Sequence, residues 1–241
     1  KMDFAVKLLH ILFPRSCSLC REALNPKQQA FCTNCIYDLP YISRCCLRCS
    51  EPLLTSDICP ECQEHPPNYR QCISLCDYSY PISLAINKIK KNPYAPETKQ
   101  LSLIFAEYLN NRFEISNMPQ IILPMPAHPM KILTIGFNQS YLIAHFLSIN
   151  LKNTLLRNDI IFRKKLGKPH RIKSRQQRMK ILASSFGVKK QSEIRGKSLV
   201  LVDDVVTTGS TASLLEAGAK SVDLWCIAKT SWHNYSSSIK M

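Results

Sequence analysis

Eight of the twelve cysteines stand in four Cys-x-x-Cys pairs, Cys17/Cys20, Cys32/Cys35, Cys46/Cys49 and Cys59/Cys62, separated by 11, 10 and 9 residues. One such turn brings two thiolates close enough to share a metal ion, and tetrahedral zinc needs two turns. Four evenly spaced turns therefore supply two four-cysteine sites for structural Zn2+. A disulfide framework would require an exported protein, and no export signal is read. A redox Cys-x-x-Cys would not recur four times at near-constant spacing. The spacing favours sequential pairing, first with second and third with fourth, with a crossed arrangement as the alternative. Pro, Ser, Asn and other polar residues fill the intervals, so metal would supply the folding energy of this segment. Cys45, Cys72, Cys76 and Cys226 read as spare thiols or small buried residues.

A second group of residues suits a different chemistry. Asp203 and Asp204 follow the apolar run Leu199–Val202 and precede Thr207, Thr208, Gly209, Ser210 and Thr211. Backbone N–H groups at a helix start, the helix dipole and the hydroxyls all favour a phosphate, and Gly209 allows close backbone approach. No Gly-Lys-Ser/Thr follows, which excludes a Walker loop. Adjacent carboxylates accept hydrogen bonds from vicinal hydroxyls and oppose positive charge developing on a sugar ring. The elements that must position them are legible. Leu199–Val202 reads as a buried strand, a helix opens near Thr211 and runs through Leu214, Leu215 and Ala217 to Gly218, and Val222–Ala228 reads as the next strand. This βαβ unit predicts an α/β domain with a mostly parallel sheet flanked by helices, its site at the carboxyl end of the strand. Asn138 to Leu151 reads as a further helix with Leu142, Ile143, Phe146 and Leu147 on its core face.

The stretch from Ser198 to Thr211 resembles the 5-phosphoribosyl-1-diphosphate (PRPP) signature of type I phosphoribosyltransferases: four apolar residues, two acidic, two apolar, then Thr-Thr-Gly-x-Thr. The resemblance implies that Asp203 and Asp204 face the ribose 2′- and 3′-hydroxyls and that Thr207–Thr211 hold the 5′-phosphate. Together with the four cysteine pairs, Pro66-Pro67, Tyr78 and Tyr80, and the basic Lys88, Lys90 and Lys91, the chain is similar to the ComF family. Ile122-Leu123-Pro124-Met125-Pro126 and Gly136-Phe137-Asn138-Gln139 resemble a block of that family. Ile135 stands where the block usually has Arg, and His170 and Ile181 replace a usual Gln and Asn. The resemblance implies a cytoplasmic protein linked to DNA uptake in natural transformation, with PRPP, Mg2+ and DNA as ligands. It also implies a preference for single-stranded over double-stranded DNA, and other DNA-uptake or helicase proteins as partners. It also makes Gln120–Leu123 a strand and Pro124–Pro129 the diphosphate loop, with Ala127, His128 and Met130 keeping their N–H groups. Lys90 or Arg178 would cover the diphosphate. The acceptor would lie under a hood, either the poorly patterned Tyr94–Asn117 or the zinc module.

The 241 residues are 45% hydrophobic and carry a formal charge of +15. This composition excludes a disordered chain, and the absence of a repeat excludes a solenoid. Residues 152–197 hold 15 Lys/Arg against two acids. Three readings of this segment stand side by side: a mobile catalytic loop, a nucleic-acid contact through Arg163, Lys164, Arg171, Arg175 and Arg178, and a solvated surface. A catalytic loop needs one or two cations, so the excess favours a polyanion. No stretch approaches the length of a membrane span. Phe4–Phe13 reads as an amphipathic helix packing on the rest, with contact to the inner face of the membrane as its alternative use. The expected organisation is a helix and zinc-ribbon module over residues 1–76 and a phosphoribosyltransferase-like domain over 77–241.

Overall fold

The computed structural model describes residues 15–25, 28–164, 185–205 and 211–231. The Phe4–Phe13 segment, residues 165–184 of the basic stretch and Thr207–Ser210 lie outside them. Two short helices, α1 (Thr33–Tyr37) and α2 (Pro60–Glu64), each start directly after a zinc-ligand cysteine, Cys32 or Cys59. They are followed by β1 (Cys72–Asp77), α3 (Ile82–Ile89) and α4 (Pro96–Arg112). Then come β2 (Ile121–Pro124), α5 (Pro129–Ile135), α6 (Gln139–Asn150), β3 (Leu155–Leu156), β4 (Ile161–Arg163) and β5 (Phe186–Val188). The chain finishes with α7 (Gln191–Ile194), β6 (Ser198–Val205), α8 (Thr211–Glu216) and β7 (Ser221–Lys229).

Five strands form one parallel sheet in the order β1-β7-β6-β2-β3, and β4 and β5 form an antiparallel hairpin beside it. The interior strands β2, β6 and β7 are nearly continuous apolar runs, as strands covered on both faces must be. Alternation then divides their side chains. Ile122, Val200, Val202, Trp225 and Ile227 point into a core shared with α3, α4 and α6. Ile121, Leu123, Leu199, Leu201 and Leu224 point into a second core with α7, α8 and the hairpin. From β2 the chain leaves toward β3, whereas from β6 it leaves toward β7 on the other side. The neighbours β2 and β6 therefore flank a topological switch point, where a crevice opens at the carboxyl ends of the strands.

The βαβ reading holds in register as well as in kind, because Val200 and Val202 pair with Asp223 and Trp225. Gly218 ends the turn after α8 at a φ of 95°, a conformation that favours glycine. The poorly patterned Tyr94–Asn117 contains the 17-residue α4, with Leu101, Phe105 and Leu109 fully buried. Two local expectations need correction. The core face of α6 is Ser140, Ile143, Ala144 and Leu147, leaving Leu142 and Phe146 only half-buried. The loop after β2 is cut short by α5, which begins at Pro129 and takes the N–H of Met130 into a cap on His128. The expected boundary at residue 76 falls within β1, which pairs with β7.

The two ribbons attach differently. Ala30, Phe31 and Leu39 of the first are buried in the main core, and Gln100 Oε1 of α4 accepts the N–H groups of Ala30 (2.6 Å) and Phe31 (2.8 Å). The second has a separate small core of its four cysteines with Leu53 and Ile58 packed on it. Polar contacts tie it down: Ser50 Oγ donates to the carbonyl of Cys72 (2.6 Å), and Glu51 makes a buried ion pair with Lys229 at the end of β7.

Candidate functional site

The cysteines converge into two clusters, Cys17/Cys20/Cys32/Cys35 and Cys46/Cys49/Cys59/Cys62, with all four sulfurs of each within 4.8 Å of one another. Sequential pairing is therefore the arrangement, and the crossed alternative is excluded. Zn–S bonds of about 2.3 Å in a tetrahedron place sulfurs about 3.8 Å apart. Cys20 and Cys32 are 3.6 Å apart and Cys49 and Cys59 3.7 Å, so the donor set fits zinc. Both sites are built by the same local device. Cys17 N–H donates to Glu22 O and Cys46 N–H to Glu51 O, folding each Cys-x-x-Cys turn back on itself. The residue after the second cysteine, Arg21 or Ser50, is left-handed, with φ of 70° or 58°.

Burial works against the thiolates of Cys17 and Cys46, yet it is outweighed there. N–H groups of Cys20, Cys32 and Leu19 bring Cys17 down to about 6, and those of Cys59, Cys49 and Arg48 bring Cys46 down to about 7. Burial dominates at Cys35, Cys49 and Cys62 and pushes their thiols up, that of Cys62 to about 12. Zinc takes its cysteine ligands as thiolates, so metal binding would release thiol protons.

The switch-point crevice is a cavity of about 320 Å³. The residues it brings together are far apart in the chain: Lys90 after α3, Ala127 and His128 after β2, Arg163 from β4, and Asp203 and Asp204 from β6. Six of the residues singled out from sequence thus share one site. Lys164 lines a different cavity with Gly187 and Glu216. Thr207, Thr208, Gly209, Ser210, Arg171, Arg175 and Arg178 lie outside the described residues, and Thr211 opens α8.

Asp204 is buried, and its Oδ2 faces Lys90 Nζ at 3.3 Å. Asp203 Oδ1 accepts from the hydroxyl of Ser140 (2.8 Å) and from the N–H of Asp204 (2.9 Å). Burial, with the Asp204 carboxylate beside it, pushes the Asp203 carboxyl up to about 7, despite the Ser140 hydrogen bond. Asn138 fixes the opposite wall. Its side chain caps α6 by accepting from Ser140 N–H (3.1 Å), and its amide donates to the Met125 carbonyl (2.9 Å). Lys131 reaches the rim and donates to Gln139 Oε1 (2.9 Å).

Ser140 and Lys131 were not legible as site residues. Ser140 reads as an ordinary first-turn residue, and only the fold brings it to a carboxylate 63 positions later. The Asn138 cap could have signalled it, because a helix start at that point aims its first turn at the adjacent strand ends. Ile135, which occupies the usual Arg position, lies outside the cavity lining and is partly exposed. The arrangement is chemically coherent. Two carboxylates on one side can accept from hydroxyls, while Lys90, Lys131 and Arg163 supply positive charge for an anion.

Residues 8–63 match the double zinc ribbon domain family. DNA utilization protein YhgH of Escherichia coli O157:H7 is 30% identical over 225 residues, covering 90% of this chain and 98% of its own. The YhgH of Salmonella typhimurium is 28% identical with the same coverage. Competence protein F of Haemophilus influenzae is 26% identical over 226 residues, covering 88% of this chain and 96% of its own. Two four-cysteine ribbons ahead of a parallel sheet, matched along nearly the whole length of these relatives, make the chain a member of the ComF family of DNA utilization and competence proteins.

Proposed function

We propose that the switch-point cavity binds PRPP and that the protein transfers its phosphoribosyl group to a nitrogen nucleophile in the service of DNA uptake. The observation that carries this reading is the pair Asp203 and Asp204 at the end of β6, facing cations from three other elements in one crevice. Asp203 and Asp204 accept hydrogen bonds from the ribose hydroxyls and oppose the positive charge that develops on the ring as the anomeric C–O bond breaks. Lys90, Lys131 and Arg163 face the diphosphate, the turn Thr207–Thr211 takes the 5′-phosphate, and Ser140 holds Asp203 in place. The nucleophile's lone pair forms the new C–N bond, the electrons of the breaking C–O bond leave with diphosphate, and the nucleophile's proton passes to solvent. The cavity's oxygen donors fit a hard cation, and Mg2+ would supply charge neutralisation for the leaving diphosphate.

A second reading is favoured by the charge of residues 152–197, which exceeds what one diphosphate requires. In it the protein is a non-catalytic DNA-binding adaptor with PRPP as regulatory ligand, consistent with the names of its relatives. Diphosphate release separates the two. The enzyme reading expects Mg2+-dependent release from PRPP that is accelerated by extracts containing the acceptor. Binding without release under those conditions would contradict it and leave the adaptor.

A further inference from the structure

A second cavity, of about 370 Å³, lies on the other side of the loop after β2, and Pro126, Ala127, Asn138 and Arg163 line both. Its walls differ from those of the first. Pro129, Ile132, Ile161, Tyr141 and Phe162 make it largely apolar, and none of the described residues that line it is a carboxylate. Both aromatic rings are set in place by neighbours. Tyr141 stacks on His145 with centroids 6.3 Å apart and planes 13° from parallel. Phe162 lies over Gly187, its cross-strand partner, so closely that a Cβ there would meet the ring at 2.4 Å. The Lys189 ammonium sits 5.0 Å from the Phe162 ring centroid. Phe162 nevertheless remains 37% exposed, so the hairpin holds an aromatic ring toward solvent at the mouth of a cleft. The hydroxyl of Tyr141 and the amide of Asn158 have no partner among the described residues.

These features select a ligand by elimination. An apolar, carboxylate-free slot rejects a cation, and its volume exceeds what a small anion needs. Held aromatic rings suit a flat face, and a free amide and a free hydroxyl suit an edge with donors and acceptors. Among the described lining residues Arg163 alone is charged, and its guanidinium lies on the wall shared with the Lys90 and Lys131 cavity, so the ligand's anionic end points there. We propose that this second cavity is a nucleobase slot, which takes the uncharged planar ring of a nucleotide whose phosphate lies on Arg163. The same chemistry is offered by a free nucleotide and by one residue of a single strand. The slot shares Arg163 with the proposed PRPP site, but neither of its aromatic residues lines the first cavity, so the rings can be altered without touching that site.

The test uses the full chain and two matched pairs of probes: dAMP against 2-deoxyribose 5-phosphate, and a short oligodeoxythymidylate against an abasic strand of equal length. The slot predicts that the base-bearing member of at least one pair binds about tenfold more tightly, the scale of one base–aromatic stack. The pair that shows the advantage identifies the source. Phe162→Ala is expected to erase that advantage while PRPP affinity, wherever PRPP binds, stays at its original value. Gly187→Ala, which displaces the ring without removing it, is expected to lower the advantage too, and it guards against misfolding of the first variant. Equal binding within both pairs would overturn the proposal. So would a base advantage that survives in both variants.

Discussion

Asp203 is where binding and stability pull in opposite directions. Its carboxyl is raised from 3.8 to about 7 by burial and by Asp204. A carboxyl raised in the folded state contributes stability that is complete below its unfolded value and is lost as pH rises through the folded one. The window is therefore about pH 4 to 7, and above it the ionised pair destabilises the ligand-free protein. Asp203→Asn is expected to raise the melting temperature above pH 7 and to have little effect near pH 4, while abolishing PRPP binding and leaving zinc content at two per chain. Thermal scans across that range, with metal analysis, check it. Retained PRPP affinity in the variant would sink the site assignment. At this scale the sequence is partly transparent. Asp203 and Asp204 stand out because two acids end an apolar run, but Ser140 and Lys131 acquire meaning only when α5 and α6 bring them to the same crevice.

The attachment of each ribbon predicts how its loss is felt at the scale of elements. Cys32 belongs to the core that covers one face of the sheet, whereas Cys59 belongs to a core largely of the four cysteines. Cys32→Ser is therefore expected to lower global stability more than Cys59→Ser, although each removes one zinc. Thermal unfolding with metal analysis distinguishes them, and equal destabilisation would contradict the difference in docking. Glu51→Ala should cost about 3 kcal/mol in chemical denaturation, because it strands the buried Lys229 ammonium without its partner. An effect within the range of an exposed pair would mean that the ribbon is held by Ser50 instead. The helix α4 shows why this scale was harder to read. Its buried face includes Glu97, Gln100 and Ser102, which are satisfied by contacts to Lys88, to the first ribbon and within the helix, and Thr98, whose hydroxyl has no hydrogen-bond partner among the described residues. Polar residues on the inner face blur the 3.6-residue period by which a helix is recognised. The apolar run of β6 has no such interruption before its two acids, and β7 has only Asp223, paired with Arg70, so their βαβ unit is legible from residue type alone.

For the whole molecule, the decisive asymmetry is charge. The chain carries +15 overall, and residues 152–197 account for most of it. Among the described residues no single helix is long and apolar enough to cross a membrane. Arg163, within this stretch, turns into the cavity and packs against the Phe186 ring at 5.7 Å. The cations beyond it are expected to face a polyanion. Reversing the charge of Arg171, Arg175 and Arg178 should weaken DNA binding and flatten its dependence on log salt by about 0.7 per contact for a single strand. An unchanged slope would move the contact to another surface.

The measurement that bears most directly on the account is a calorimetric titration of PRPP, with Mg2+, into the intact zinc-loaded protein. The geometry of the β2/β6 crevice predicts saturable one-to-one binding that disappears when Asp203 and Asp204 are both replaced by Asn. The absence of binding by the unaltered protein would contradict the account and leave the ribbons and the basic surface as the working parts of the molecule.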